Sequence, residues 1–117
     1  YYDVALKEAR FAGLTGRNGF IPARLDLCDG EGLRSLFAEH RFTRVVHLAA
    51  QPGVRKALTD PDPYVQANVV AFLNVLEACR YGKVEHLVYA SSSSVYGANR
   101  KLPFAESDPV DHPVSLY

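Results

Sequence analysis

Hydrophobic residues recur at helical spacing in three parts of the chain. Residues 4–12 are rich in Ala, Leu, Lys, Glu and Arg, which favour helix. In residues 31–39 and 64–81 the apolar positions fall on one face of a helix. Asp29 is suited to cap the start of the second helix, and Gly82 is suited to end the third. The pattern therefore predicts three helices.

Short apolar runs of strand length lie between and after these helices. Residues 44–50 and 84–90 are largely apolar and contain β-branched residues, and residues 20–27 form a weaker run. These runs predict three strands, and the first is expected to end near Asp26 and Leu27.

The alternating order of elements predicts the fold class. Strands that are continuously apolar and separated by helices are typical of parallel sheets covered on both faces. We therefore predict an α/β fold, a three-layer Rossmann-type parallel sheet with helices on both faces, which is incomplete here. The chain starts at Tyr1 rather than at Met and stops at Tyr117 after a Pro-rich loop. We expect residues 1–117 to be the central part of one domain of a longer polypeptide, here termed the intact protein.

Composition and charge narrow the classes of function. Apolar residues make up 48% of the 117 residues, which is enough for a single core and too many for a disordered chain. Basic and acidic residues number 13 each, and no basic stripe favours nucleic acid as a partner. No apolar run is long enough to predict a membrane span, and no signal peptide is present to predict export. Cys28 and Cys79 are isolated in sequence, so we expect reduced, partly buried thiols in a cytoplasmic protein.

Three clusters of residues that could take part in binding or catalysis follow the predicted strands. They are residues 26–27, 47–51 and 91–97. Structural explanations exist for each, because an Asp can cap a turn, alanines allow close packing and four serines can form a linker. The serine run fits a linker poorly, since a strand precedes it and Val-Tyr-Gly follows it. In a parallel sheet with right-handed crossovers, all three clusters meet at the edge where such sheets bind ligands.

The residue types in these clusters suit a dinucleotide and an alcohol substrate. Ala49 and Ala50 would let the backbone approach the ligand closely, and Asp26 could accept a hydrogen bond from an adenine amino group. Redox chemistry on an alcohol needs hydroxyl groups that bind the oxygen and take its proton. Ser92 and Tyr117 are suitable for these two tasks.

In chain order, several motifs now make a resemblance visible. They are Leu-Asp-Leu, His-Leu-Ala-Ala-Gln-x-Gly-Val-Arg, Asn68, Tyr-Ala-Ser-Ser-Ser-Ser-Val-Tyr-Gly and Pro-Val-x-His-Pro-x-Ser-Leu-Tyr. From Tyr1 to Tyr117 the chain resembles the extended short-chain dehydrogenase/reductase superfamily, the NAD-dependent epimerase/dehydratase family. It looks closest to the UDP-glucuronate 4-epimerases in that family.

The resemblance implies roles for individual residues, with NAD as the cofactor and a UDP-sugar as the substrate. The implied cofactor-binding residues are Asp26 and Leu27 at the adenine, Leu48, Ala49, Ala50 and Gln51 at the pyrophosphate and ribose, and Asn68, Ala90, Ser91 and Tyr117. The implied substrate-binding residues are Ser92, Ser93, Ser94 and Arg55. Asn68 is implied to support the active-site backbone, and its alternative is a polar residue that faces solvent. A plain solvated arginine is an equal alternative for Arg55.

Ser92 and Tyr117 are the implied catalytic residues. Tyr117 matches the tyrosine of the family's Tyr-x-x-x-Lys motif and follows Ser92 by 25 residues, as the family spacing requires. The implied mechanism has Tyr117 remove the proton of the sugar 4-hydroxyl while hydride passes from C4 to NAD. The resulting 4-keto sugar then turns over and receives hydride on its other face. A free phenol has a pKa of ~10, so a nearby cation such as the motif lysine has to favour the phenolate.

Two departures from the family pattern lead us to expect that the 117 residues alone are inactive. The motif lysine would fall beyond Tyr117. The phosphate-binding glycine loop is also missing, because Gly13, Gly16 and Gly19 follow a predicted helix rather than a strand. We expect that loop to precede Tyr1. For the intact protein we expect a homodimer.

Other functions within and outside the superfamily stay open at this point. Dehydratases of the superfamily carry an acidic pair directly after the residue that matches Ser92, and Ser93 and Ser94 cannot serve as strong acid and base. A dehydratase is therefore disfavoured. Another UDP-sugar epimerase, a decarboxylase and a non-catalytic dinucleotide-binding protein are the remaining alternatives.

Overall fold

The computed structural model describes residues 3–117, so the first two residues of the predicted range 1–117 lie outside it. Helix α1 spans Val4–Ala12, as predicted. Asp3 is its N-cap, and the Asp3 side chain accepts a hydrogen bond from the Ala5 amide. A bidentate Arg24–Glu8 ion pair connects α1 to the segment that follows it.

The predicted strand over residues 20–27 is wrong. The segment has no hydrogen-bonded strand partner among residues 3–117, and Pro22 lacks the amide hydrogen that a ladder needs. Its end is a tight turn instead. The Asp26 carboxylate accepts a hydrogen bond from the Cys28 amide, and the Asp26 carbonyl accepts one from the Asp29 amide.

Helix α2 spans Gly30–His40, one residue longer at each end than predicted. The Asp29 cap is confirmed, because its side chain accepts a hydrogen bond from the Gly32 amide at 2.9 Å. The helix ends at Arg41, which adopts a left-handed conformation and donates its amide to the Phe37 carbonyl.

Two parallel strands, β1 (Arg44–His47) and β2 (His86–Tyr89), form the sheet. Both predicted strands are confirmed but are shorter than the apolar runs. They pair in register from Arg44 with His86 to His47 with Tyr89. Since the strands are parallel, their carboxyl ends lie side by side at His47 and Tyr89.

The predicted long helix is helical throughout but is interrupted by a wider turn. Helix α4 spans Asp62–Val65, a π-helical segment spans Gln66–Val70, and helix α5 spans Ala71–Tyr81. In the π segment the Ala71 amide donates to the Gln66 carbonyl, five residues back. Such turns occur frequently at functional sites.

Gly82 ends α5 as predicted, but for a reason other than a left-handed backbone. Its φ is −72°, and the left-handed residue is Lys83. A Cβ on Gly82 would lie 2.9 Å from the Ala78 carbonyl oxygen and 3.3 Å from the Phe37 ring. The glycine therefore allows α2 and α5 to pack closely at this end.

Two short helical segments lie outside the three helices that the sequence predicts. Helix α3 spans Val54–Thr59 and follows Gly53, whose φ of 110° few other residues adopt. A 3₁₀ turn spans Ser93–Tyr96, inside the serine run, and Ser92 caps it.

Helices α2 and α5 pack together against one face of the sheet. Leu33 and Phe37 of α2 and Val75 of α5 are buried with Ala78 and Cys79. Val45 and Leu87, one from each strand, pack against this cluster. The prediction of an incomplete, Rossmann-type α/β fold is confirmed.

The opposite face of the sheet is open within the part of the chain that the structure describes. Val46 and Val88, which are partners in the register, are 65% and 49% exposed. The predicted second helical layer is therefore not seen within residues 3–117.

The two cysteines differ from each other. Both are free thiols, Cys79 is buried, and Cys28 is exposed rather than partly buried as predicted. Separately, no helix within residues 3–117 has the length and apolar character needed to cross a bilayer.

Candidate functional site

A cavity of about 310 Å³ lies at the carboxyl ends of β1 and β2. The segment that follows β1, the π segment with the start of α5, and the segment that follows β2 form its walls, and Tyr117 closes one side. Seven residues that were predicted for the site line it together: Ala49, Ala50, Asn68, Ala90, Ser91, Ser92 and Tyr117. The parallel register brings these segments together, because it aligns the last residues of the two strands.

Asn68 holds the backbone beside the cavity. Its side-chain carbonyl accepts a hydrogen bond from the Gln51 amide at 2.7 Å, and its side-chain amide donates to the Gln51 carbonyl at 3.0 Å. This pair of bonds satisfies both polar groups of one residue in the loop after β1. Gln51 itself does not line the cavity, so its part in the site is through this backbone link.

Replacing Asn68 with leucine in the intact protein is expected to lower the free energy of unfolding by about 2–4 kcal/mol, because two part-buried backbone groups lose their partners. Urea unfolding measures the loss, and amide hydrogen exchange locates it at Gln51. Asn74→Leu is the matched control, since Asn74 bonds instead to the Leu27 carbonyl. If amide hydrogen exchange at Gln51 were equally slow in wild type and Asn68→Leu, the two hydrogen bonds from Asn68 would not contribute to stability.

Ser92 has its hydroxyl engaged with the turn that it caps. Its oxygen accepts a hydrogen bond from the Ser94 amide at 3.2 Å and lies 3.3 Å from the Ser94 hydroxyl oxygen. Ser92 and Ser94 are half-buried, whereas Ser93 is exposed, and neither Ser93 nor Ser94 lines the cavity. Of the predicted substrate-binding serines, the structure therefore brings only Ser92 to the cavity.

Tyr117 is half-buried and supported from behind by another tyrosine. Its ring meets the ring of Tyr64 edge-on, with centroids 6.2 Å apart and planes at 81°. Tyr117 and Ser92 line the same cavity, so a small ligand in it can reach both hydroxyl groups.

His47, Phe72 and Tyr89 form an aromatic floor of the cavity; His47 opens the predicted cluster 47–51, whereas Phe72 and Tyr89 were not predicted for the site. The His47 ring stacks on Phe72, with centroids 5.4 Å apart, and Phe72 packs on Tyr89 at 5.0 Å. Partial burial lowers the pKa of His47 below its usual value, which favours the uncharged imidazole. A sequence signal for the floor was the position of His47 and Tyr89 within the two predicted strands, where they are the last paired residues.

A second cavity, of about 300 Å³, adjoins the first along the edge of the sheet. Leu27, Leu48 and Ala49 line it together with the core residues Leu33, Phe37 and Val75, and His47 and Ala49 line both cavities. Leu48 is 71% exposed there. Asp26 lines neither cavity, and one of its carboxylate oxygens is already bonded to the Cys28 amide.

Arg55 is another predicted site residue that lies outside this arrangement. It sits on the exposed first turn of α3 and lines neither cavity. Within residues 3–117, no group of three or more His, Cys, Asp or Glu side chains is placed to hold a metal ion.

Several known proteins with similar sequences or structures are nucleotide-sugar 4-epimerases. The chain is 50% identical over 118 residues to UDP-glucuronate 4-epimerase 4 of Arabidopsis thaliana. The structure of the UDP-Glc/GlcNAc 4-epimerase from Campylobacter jejuni matches with a TM-score of 0.86 at 26% identity and covers 92% of this chain. The UDP-glucose 4-epimerase of Thermus thermophilus, in complex with NAD, matches with a TM-score of 0.69 at 35% identity and covers 94%.

The chain spans less than half of each of these proteins. It aligns over its whole length with 27% of the Arabidopsis protein, and the two structural matches cover 32% and 40% of the known chains. A family model described as GDP-mannose 4,6 dehydratase matches residues 12–117. The resemblance to the extended short-chain dehydrogenase/reductase superfamily is therefore confirmed. Since the family model matches most of its residues, this chain belongs to the GDP-mannose 4,6-dehydratase family.

Proposed function

We propose that this chain is the central part of the NAD-binding domain of a nucleotide-sugar 4-epimerase. The proposed reaction converts UDP-glucuronate to UDP-galacturonate through a 4-keto intermediate. The observation that carries the proposal is the shared cavity in which Ser92 and Tyr117 lie beside the small residues Ala49, Ala50, Ala90 and Ser91. The similarity to the Arabidopsis UDP-glucuronate 4-epimerase supports the choice of sugar.

The residues at the sheet edge fit an extended dinucleotide. Two adjoining cavities share His47 and Ala49. The first lies at the carboxyl ends of both strands, and the second runs beside β1. The side chains of Ala49, Ala50 and Ala90 leave the backbone accessible to a ligand. Leu27 would contact the adenine end, Leu48, Ala49 and Ala50 the pyrophosphate and ribose, and Ala90, Ser91 and Tyr117 the nicotinamide end. When bound, NAD supplies the acceptor and donor of hydride.

The chain's own hydroxyl groups would handle the sugar 4-oxygen. Ser92 would hold that oxygen by a hydrogen bond, and Tyr117 would take its proton when the carbonyl forms and return it when the carbonyl is reduced. Ser92 accepts a bond from the Ser94 amide and donates its hydroxyl hydrogen to the Ser94 hydroxyl, so that hydrogen would turn to the sugar oxygen when the substrate binds.

The lining of the cavity favours epimerisation over the loss of water. Elimination needs an acid and a base beside the keto sugar, and no Asp or Glu lines this cavity within residues 3–117. The family's description names a dehydratase, but Ser93 and Ser94 stand where dehydratases of the superfamily carry their acidic pair.

Incubation of the intact protein with NAD and UDP-glucuronate is expected to yield UDP-galacturonate, which ion-exchange chromatography separates from the substrate. Residues 1–117 alone are expected to give no product and serve as the control. Turnover of UDP-glucose without turnover of UDP-glucuronate would contradict the assignment of UDP-glucuronate as the substrate. Binding of NAD without turnover of any nucleotide sugar would contradict the epimerase and favour a dinucleotide-binding protein. The cytoplasmic location and the homodimer stay predictions for the intact protein.

A further inference from the structure

Tyr64 is the largest fully buried side chain in the part of the chain that the structure describes, with 2% of its surface exposed. It lies in α4, outside the cavity, and the proposed reaction gives it no role. A buried tyrosine needs a hydrogen-bond partner for its hydroxyl. Tyr64 donates to the Pro52 carbonyl at 2.9 Å, in the loop that follows β1.

The other contact of Tyr64 is with Tyr117. The two rings meet edge-on at 6.2 Å between centroids. One side chain therefore connects two walls of the site. The hydroxyl end holds the loop after β1, and the ring supports the residue that faces the serines across the cavity.

Asn68, four residues later, strengthens the first of these connections. It bonds both backbone groups of Gln51, directly before the Pro52 that Tyr64 holds. Two neighbouring loop residues are thus fixed by side chains from one helical stretch. Only Tyr64 among these contacts extends to Tyr117.

We propose that Tyr64 is a positioning residue with two separable tasks. Its hydroxyl fixes the Gln51–Pro52 loop on the cofactor side of the site, and its ring fixes the orientation of Tyr117 on the substrate side. The effect on turnover rests on the proposed function, whereas the effect on NAD binding does not require catalysis.

Two variants of the intact protein separate the tasks. Tyr64→Phe keeps the ring and removes the donor, so the Kd for NAD is expected to rise about fivefold to tenfold while kcat at saturating NAD stays near the wild-type value. Tyr64→Met fills most of the space without a ring. It is expected to lower kcat about tenfold to a hundredfold, because small misplacements of reacting groups are costly, and to move the pH profile of kcat.

Calorimetric titration gives the Kd for NAD, and steady-state kinetics across pH give kcat. The proposal is overturned if both variants change Kd and kcat in the same proportion, or if only their thermal stability falls, since Tyr64 is then a packing residue. If Tyr64→Met does not fold, the Tyr64→Phe result decides, and an unchanged Kd overturns the proposal. A wild-type protein that binds NAD without turnover defeats the proposed function, while the Kd of Tyr64→Phe still tests the positioning role.

Discussion

Replacing Tyr117 with phenylalanine in the intact protein is expected to lower kcat for 4-epimerisation about a hundredfold to ten-thousandfold, the range that general acid–base groups contribute. The ring stays, so its edge-on contact with Tyr64 and the wall of the cavity are retained. The Kd for NAD is therefore expected to stay close to the wild-type value. Stopped assays of UDP-galacturonate formation and titration with NAD measure the two quantities.

Tyr96→Phe is the matched control for this variant. It removes a phenol hydroxyl from the same part of the chain, but the Tyr96 ring stacks on Phe104 and does not line the cavity. Turnover by Tyr96→Phe is expected to match the wild type. Near-normal turnover by Tyr117→Phe would remove Tyr117 from the proposed mechanism, and loss of NAD binding would make its role structural.

Gly97→Ala is expected to destabilise the intact protein by about 3 kcal/mol or more, since it combines backbone strain with a clash against main-chain atoms. Gly97 has a φ of 51°, and a Cβ there would overlap the carbonyl oxygen of His112 and lie 2.8 Å from its carbonyl carbon. The same carbonyl accepts a hydrogen bond from the Ala98 amide. The clash would push away the segment that leads to Tyr117, so turnover is expected to fall as well.

Urea unfolding of Gly97→Ala and Gly16→Ala tests the cause of this loss. Gly16 also has a positive φ, of 86°, but a Cβ there would meet no atom within 4 Å. Gly16→Ala is therefore expected to cost only the backbone strain, about 1–2 kcal/mol. Equal losses in the two variants would show that the contact with His112 is unimportant.

Local sequence signals predicted the elements that depend on local physics. The bounds of α1, the Asp29 cap and the pairing of apolar runs into parallel strands all follow from propensity and periodicity. The strand over residues 20–27 was predicted wrongly because a strand also needs a partner. No signal within that segment says whether one is present.

The candidate site divides in a similar way. The loops at the strand ends follow from the parallel topology, which places Ala49, Ala90 and Ser92 at one edge. Tyr64 and the aromatic floor depend on how the long helical stretch is rotated against the sheet, which no single segment specifies. The exposure of Arg55 has the same origin, since it depends on the placement of α3, a helix that the sequence pattern did not predict.

The π segment over Gln66–Val70 sets the helical phase between Tyr64 and Phe72. In a regular α-helix, side chains four residues apart drift around the axis by about 40° per step. The wider turn of the π segment reduces this rotation, so that Tyr64, Asn68 and Phe72 all lie on the side of the helix that is nearest the site. Deleting one residue here would rotate α4 by about 100° against α5. Substitution of the exposed side chains of this turn is therefore expected to disturb the site far less than a change in the turn's length.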